Sequence, residues 1–164
     1  MRDKIFAVVD QLEIGRQLVR QLGGLVSDGD VASWAQGVLQ VIAQDGPSFG
    51  ADEESMADVL KRCSLAGQPD FGLSHEDLRR LMRRLAFLRG PVPPFPEKGR
   101  FLACRRIGKF LPIGSGFASN CQRCATPIVL PASRVSKLRE CDGSLLCWRC
   151  AQTFPGRIVE IGSG

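Results

Sequence analysis

The sequence contains no tyrosine and a single histidine, His75. One histidine leaves little room for histidine-based catalysis and excludes histidine-rich metal sites. The chain also lacks the nucleophile elbow, the H-E-x-x-H motif, the phosphate-binding loop and the Rossmann glycine fingerprint of common enzymes. We therefore expect a protein that is not an enzyme and has no catalytic residues, with His75 as an ordinary surface residue.

Long apolar runs are also missing. No apolar run approaches the roughly 20 residues that a membrane-spanning helix needs. The apolar stretch near the N-terminus stops at Asp10, which is too early for the apolar region and cleavage site of a signal peptide. We therefore expect a reduced, cytoplasmic protein that binds no membrane and keeps its thiolates for metal.

Cysteine, by contrast, is plentiful, and four of the seven cysteines form two C-x-x-C pairs. Cys121 and Cys124 make the first pair, and Cys147 and Cys150 make the second, with 22 residues between the pairs. This spacing brings four thiolates to one tetrahedral ion, and Zn²⁺ favours four sulfur ligands. The sequence therefore predicts one structural zinc ion, whose filled shell disfavours Lewis-acid catalysis. A redox dithiol, or a thiol switch that ejects zinc on oxidation, stays the alternative, although the βαβ setting of a thioredoxin-like site is absent.

The residues between the pairs predict a small β module. Short apolar runs at 127–131 and 143–147 predict a strand on each side of a basic excursion, as in a zinc ribbon or a treble-clef-like finger. Of the remaining cysteines, Cys63 and Cys104 are expected in the core, whereas Cys141 is the one that could compete for the metal. Residues 100–111 mix apolar and basic side chains, so periodicity does not decide between strand and helix. Residues 157–161 predict a final strand.

The first half of the chain predicts four amphipathic helices. The first spans residues 3–22 and the second about 31–44, with Asp30 as its cap. The third begins at Asp52, and the fourth starts at Ser74 with an acidic capping-box residue three positions later. The predicted fold class is mainly α with a small zinc-bound β module. Its predicted parts are a helical bundle domain at 1–89, a Pro-rich linker at 90–99 and a four-cysteine zinc ribbon at 100–164.

Charge is distributed unevenly between the two halves. Residues 1–89 hold 11 Lys/Arg and 13 Asp/Glu, a balance of −2, whereas residues 90–164 hold 11 and 4, a balance of +7. Such asymmetry points either to a polyanionic partner or to surface solubility. The basic residues are either solvated faces paired with carboxylates or candidates for binding a partner or phosphate. These candidates are Arg79, Arg80, Arg83, Arg84, Arg123, Arg134, Lys137, Arg139 and Arg149.

Two stretches of the helical half carry a resemblance to a known family. Residues 22–35 (LGGLVSDGDVASWA) and 74–81 (SHEDLRRL) resemble segments of the colicin D immunity-like proteins of bacteria, over roughly residues 5–88. That resemblance implies a helical bundle that binds and blocks a toxin domain. The chain departs from that family in its basic last helix and its zinc module. The cysteine-rich half is similar to common bacterial zinc-ribbon or treble-clef appendages.

Two functions follow from these patterns. The first, narrowly favoured, is an immunity-like or regulatory protein that binds a protein partner through its helical half. The alternative is a nucleic-acid-binding, transcription-regulator-like protein that uses the basic zinc ribbon. Because residues 100–164 are too few for a large core, metal removal is expected to unfold that half and spare the helices.

Overall fold

The computed structural model describes residues 11–45, 53–88, 99–108 and 114–161. The described part of its first half is helical, and each α-helix there lies where the sequence predicts one. The α-helices of this described part are α1 Gln11–Leu22, α2 Asp28–Asp45, α3 Glu53–Ser64 and α4 His75–Ala86, and a short 3₁₀ helix, Pro69–Phe71, precedes α4. The predicted start of the first helix at residue 3 falls outside the described residues. None of the described helices is both long and apolar enough to cross a bilayer.

Side-chain caps set the starts of two helices. At α4, the Ser74 side chain accepts a hydrogen bond from the Asp77 amide, and the Asp77 carboxylate accepts one from the Ser74 amide, as the capping box predicts. At α2, Asp30 is not the cap, because the helix begins two residues earlier. Ser27 Oγ accepts from the Asp30 amide at 3.1 Å, and Asp30 Oδ2 accepts from the Ser27 amide at 2.9 Å. Asp30 therefore takes the third helical position of a second capping box.

The second half forms a five-stranded mixed sheet with two short helical segments. Its strands are β1 Arg100–Arg106, β2 Phe117–Asn120, β3 Pro127–Leu130, β4 Leu145–Cys147 and β5 Arg157–Ile161. A 3₁₀ helix, Ala132–Glu140, lies between β3 and β4, and helix α5, Trp148–Thr153, follows β4. The undecided segment after residue 100 is thus a strand. Its residues 101–104 are all buried, which is the pattern of a central strand covered on both faces.

Strand β1 is the centre of the sheet. Strands β2 and β3 form an antiparallel hairpin, and the sheet order is β2-β3-β1-β4. Leu102 and Ala103 of β1 pair in parallel with both β4 and β5, so these two strands must lie on opposite edges of β1. The sequence correctly predicts β3 and β4 as strands. They are not neighbours, however, because β1 lies between them.

The helices and the sheet share one hydrophobic core. A single cluster of buried side chains runs from α1 to α5 and includes residues from all four long helices and from strands β1 to β4. Helix α4 packs on β2, where the His75 ring meets the Phe117 ring edge-on at 6.1 Å between centroids. Each half thus covers apolar surface of the other.

Two buried amides join the halves at the end of α4. Asn120 Nδ2 donates to the carbonyl of Ala86 at 2.8 Å and to that of Ala125 at 3.0 Å. Gln11 Nε2 donates to the Leu85 carbonyl at 2.8 Å and, across the junction, to Asn120 Oδ1 at 3.4 Å. The last carbonyls of a helix have no partner within the helix. Because these carbonyls are buried away from water, the two amides supply their hydrogen bonds.

This shared core bears on the predicted domain division. Most of the predicted linker at 90–99 lies outside the described residues, so the boundary stays a prediction. Because core packing continues across it, the expectation that metal removal would spare the helices no longer follows.

Candidate metal centre

The first cysteine pair lies in the turn of the β2–β3 hairpin. Cys121 follows the last residue of β2, and its amide donates to the Thr126 carbonyl at 2.9 Å. The Ala125 amide donates back to the Cys121 carbonyl at 2.9 Å, and Ala125 has a positive φ of 63°. The turn is therefore tight enough to bring Cys121 and Cys124 to the same side of the hairpin.

The second pair lies where β4 passes into α5. Cys147 is the last residue of β4 and also the N-cap of α5. Its Sγ accepts a hydrogen bond from the Cys150 amide at 3.5 Å, so Cys150 lies in the first turn of the helix. The parallel register places Cys147 opposite Cys104 of the central strand. The central strand therefore fixes where the second pair sits.

The four sulfur atoms converge as the sequence predicts. The Sγ atoms of Cys121, Cys124, Cys147 and Cys150 all lie within 4.8 Å of one another. Cys124 Sγ and Cys147 Sγ are 3.8 Å apart, and all four cysteines are free of disulfides. A tetrahedron with about 2.3 Å from metal to sulfur has edges of about 3.8 Å, whereas a disulfide needs about 2.05 Å. The cluster can hold a metal ion.

The electrostatics of the cluster call for a cation. Burial opposes the Cys124 thiolate, but hydrogen bonds from the side chain and amide of Thr126 outweigh it and lower the pKa of Cys124 to about 6. Burial raises the pKa of Cys121 to about 11, and burial together with the Cys121 charge raises the pKa of Cys150. Four thiolates cannot all be charged at neutral pH unless a cation offsets their repulsion.

One arginine that sequence reasoning missed contacts both pairs. Arg106 Nη2 of β1 lies 3.7 Å from Cys124 Sγ. The hydrogen bond from Arg106 to Cys147 is the largest cause that raises the pKa of Arg106. The negative charge of Cys147 and the contact with Cys124 raise it further. Groups that hydrogen-bond to metal ligands orient them and tune the metal affinity. Arg106 thus offsets part of the negative charge that four thiolates and a divalent ion would carry.

The other three cysteines stand apart from this cluster. Cys63 and Cys104 are buried in the core, as predicted, and burial raises the pKa of each to about 12. Cys141 does not join the four clustered sulfurs; its thiol donates to the Leu138 carbonyl at 3.5 Å. None of the three is therefore a ligand in this arrangement.

The predicted arginine ridge on α4 is largely paired with carboxylates. Arg79 lies 2.6 Å from Glu76, Arg84 lies 3.1 Å from Asp58, and Arg80 lies 3.9 Å from both Glu76 and Asp77. Arg79 also donates to backbone carbonyls before β2 and stacks on Phe117 at 4.8 Å. Arg83 alone of the four is exposed without an ion pair among the described residues.

Most of the predicted basic residues in the second half also have structural partners. Arg134 pairs with Glu160 at 3.4 Å, and Lys137 pairs with Glu140 at 3.9 Å. Arg139 Nε donates to the Gly23 carbonyl at 3.0 Å, and Arg123 donates to Thr153 Oγ1 at 3.0 Å. These side chains hold neighbouring segments together, so they are weak candidates for a binding surface.

Arg149 has different surroundings. It lines an open groove beside the metal centre together with Arg105, Arg106 and Trp148. Arg106 Nε and Trp148 Nε1 are buried there without a hydrogen-bond partner in the described structure. The sequence feature that could have indicated this groove is the Arg105-Arg106 pair, which directly follows the apolar residues 101–104. Nothing in the sequence, however, indicates that β1 lies beside the second cysteine pair.

Comparisons with known proteins assign no role to these residues. No protein-family model, no curated protein and no solved structure matches the chain. The resemblance of residues 5–88 to the colicin D immunity-like proteins therefore stays a prediction.

Proposed function

We propose that the four cysteines bind one structural zinc ion in a treble-clef-like finger. The proposal is supported by the four sulfur atoms, which lie within 4.8 Å of one another, because four thiolates are a ligand set that Zn²⁺ favours and that fills its coordination shell. One pair lies in a hairpin turn and the other at the start of a helix, which favours the treble-clef layout over a ribbon of two hairpins. The role of the ion is to hold β4 and α5 against the β2–β3 hairpin.

Metal analysis of the purified chain tests this proposal. We expect one zinc per chain, retained through dialysis and lost in Cys147→Ser. Cys63→Ala is the matched control, since Cys63 is buried but lies outside the cluster. Metal content well below one zinc per chain, or equal zinc in Cys147→Ser, would contradict a four-thiolate site.

We propose further that the protein is a non-enzymatic nucleic-acid-binding protein. The observation that carries this proposal is the groove, whose lining in the described part of the chain comprises three arginines and a tryptophan and includes no carboxylate. The surrounding half has a balance of +7 before the metal site is counted. Arginine is the side chain best matched to phosphate, and phosphate contacts supply most of the non-specific affinity for nucleic acid.

Binding through the helical half to a protein partner, including a toxin domain, stays the second prediction. It has less support, because three of the four α4 arginines are already engaged with carboxylates of the same region. No described feature of that surface selects a partner.

A salt titration of the intact, zinc-loaded protein with labelled oligonucleotides tests nucleic-acid binding. The whole chain is used because the helices and the sheet share a core. Because Arg106 is engaged with the sulfur atoms, two phosphate contacts remain, from Arg105 and Arg149. They predict a slope of about −1.4 in log affinity against log salt for a single strand, or roughly a 7-fold loss between about 50 and 200 mM salt. An absence of binding at the lower salt, or binding insensitive to salt, would rule out this function.

A further inference from the structure

We propose that the groove binds a single-stranded segment of nucleic acid, with one base stacked on Trp148 and the flanking phosphates held by Arg149 and Arg105. This inference rests on the nucleic-acid-binding function proposed above. It adds the type of strand, the base contact and the residues that make it.

The first support is the position of Trp148. It lies between two of the clustered cysteines, in the sequence Cys147-Trp148-Arg149-Cys150, and it lines the groove. The hydrogen bond from the Cys150 amide to Cys147 Sγ fixes the main chain on either side of it. The side chain is half-buried, so part of the indole is anchored while part faces the groove. An aromatic ring held in this way is a rigid stacking surface that costs little entropy on binding.

The second support is that the arginines of the groove have different contacts. Arg106 is engaged with the sulfur atoms of the cluster, so its charge mainly offsets that of the thiolates. Arg105 and Arg149 are both exposed on the groove. Arg149 has no ion pair among the described residues. These two guanidinium groups are therefore placed to hold phosphates on either side of the stacked base.

The choice of a single strand follows from the tryptophan. The faces of the bases are stacked inside a duplex, so the indole has no exposed base face to stack on there. An acidic peptide would use the arginines, but its carboxylates offer the indole no flat ring. A single strand offers both groups at once, and base stacking on an aromatic side chain is tolerant of sequence.

Fluorescence of Trp148 provides the test, since the chain has two tryptophans and the other is Trp34 of α2. In a Trp34→Phe background, Trp148 is the sole tryptophan reporter. We expect its emission to be quenched on titration with oligo(dT) or oligo(rU), and to change little with the same strand annealed to its complement. The DNA and RNA arms report which backbone is preferred.

Variants locate the contacts. Trp148→Ala should weaken single-strand binding roughly 5- to 150-fold, the equivalent of one stacked base, while Trp148→Phe should recover part of the loss. Arg149→Gln should weaken binding and reduce the steepness of its salt dependence. Arg83→Gln is the matched control, because Arg83 is an exposed arginine without an ion pair among the described residues and lies on α4. Each variant is checked for full zinc content.

The outcomes separate this inference from the function on which it rests. Equal, salt-dependent binding of duplex and single strand without quenching would overturn the stacking site but leave nucleic-acid binding standing. Failure of every nucleic acid to bind would overturn both. Displacement of oligo(dT) by polyglutamate at equal or lower concentration would overturn the inference in favour of an acidic protein partner.

Discussion

Three arginines of α4 (Arg79, Arg80 and Arg84) and Arg106 of β1 are paired with anionic groups, but these groups differ. On α4 the partners are carboxylates, such as Asp58 and Glu76. Arg106 contacts the sulfur atoms of Cys124 and Cys147 instead. A carboxylate is charged at neutral pH without help, whereas a buried cluster of thiolates stays charged only with a cation. The carboxylate pairs of α4 therefore need no further ion, whereas the Arg106 side of the groove would depend on the proposed metal ion.

Removing the proposed metal should have the largest effect on stability of all the changes considered. In Cys147→Ser, or in excess chelator, we expect loss of the sheet region and a marked loss of helix stability, because structural zinc supplies about 10–16 kcal/mol of apparent folding free energy. Circular dichroism and hydrogen exchange would report both regions. Full protection of α1 and α4 in chelator would show that the two regions are stable independently despite their shared core.

Asn120→Ala tests the junction between the regions. It removes the hydrogen bonds to the carbonyls of Ala86 and Ala125 and leaves the Ala86 carbonyl with only the 3.4 Å bond from Gln11, so we expect a loss of about 1–3 kcal/mol in the free energy of unfolding. Denaturant titration measures it. The control is Gln36→Ala, which removes an exposed hydrogen bond to the Ser64 carbonyl and should cost well under half as much. Similar costs for both variants would mean that the Asn120 bonds do not join the regions.

Arg106→Gln tests the arginine–thiolate contact directly. Loss of a group that hydrogen-bonds to metal ligands typically weakens metal binding 10- to 100-fold, and we expect a change of that size. Competition with a zinc chelator of known affinity measures it. Arg105→Gln is the neighbouring control and should leave zinc affinity nearly unchanged. Equal zinc affinities in the two variants would remove Arg106 from the metal centre.

Ser74→Ala tests the capping box of α4, which lies wholly within the helical region. Loss of this N-cap should cost about 0.5–2 kcal/mol at neutral pH without changing zinc affinity. Hydrogen bonds from the Ser74 amide and hydroxyl lower the pKa of Asp77, so this contribution is present above the ordinary aspartate pKa of 3.8 and is lost as pH falls through the lower folded value. The stability gap between Ser74→Ala and the parent protein should therefore narrow in acid. A gap that stays constant down to about pH 2 would argue against the capping box.

Arg84→Gln should have the smallest effect. Its pair with Asp58 is exposed, and such pairs contribute about 0.2–1 kcal/mol. The measurement is thermal unfolding at low and high salt, where the small loss should vanish at high salt. A loss as large as that of Asn120→Ala would mean that the carboxylate pairs of α4 stabilise the fold far more than their exposure indicates.

The parts of the structure that sequence reasoning predicted well are those set by neighbours in the chain. Two residues between cysteines allow a tight turn to bring both sulfurs together, and a serine three residues before an aspartate marks a helix start. The second helix shows the limit of this approach. Ser27 and Asp30 form the same reciprocal pair as Ser74 and Asp77, but the sequence analysis predicts Asp30 as the cap, three residues after the residue that caps the helix.

The sequence alone determined the cysteine pairs, the helix positions and the excess of positive charge in the second half, because spacing, capping and composition are local properties. The tertiary structure decided which basic side chains are paired within the fold and which line the groove. Arg106 and Trp148 lie more than 40 residues apart in the sequence and meet only because β1 enters the sheet between β3 and β4. That pairing depends on burying residues 101–104 on both faces, which requires the helices and the other strands together.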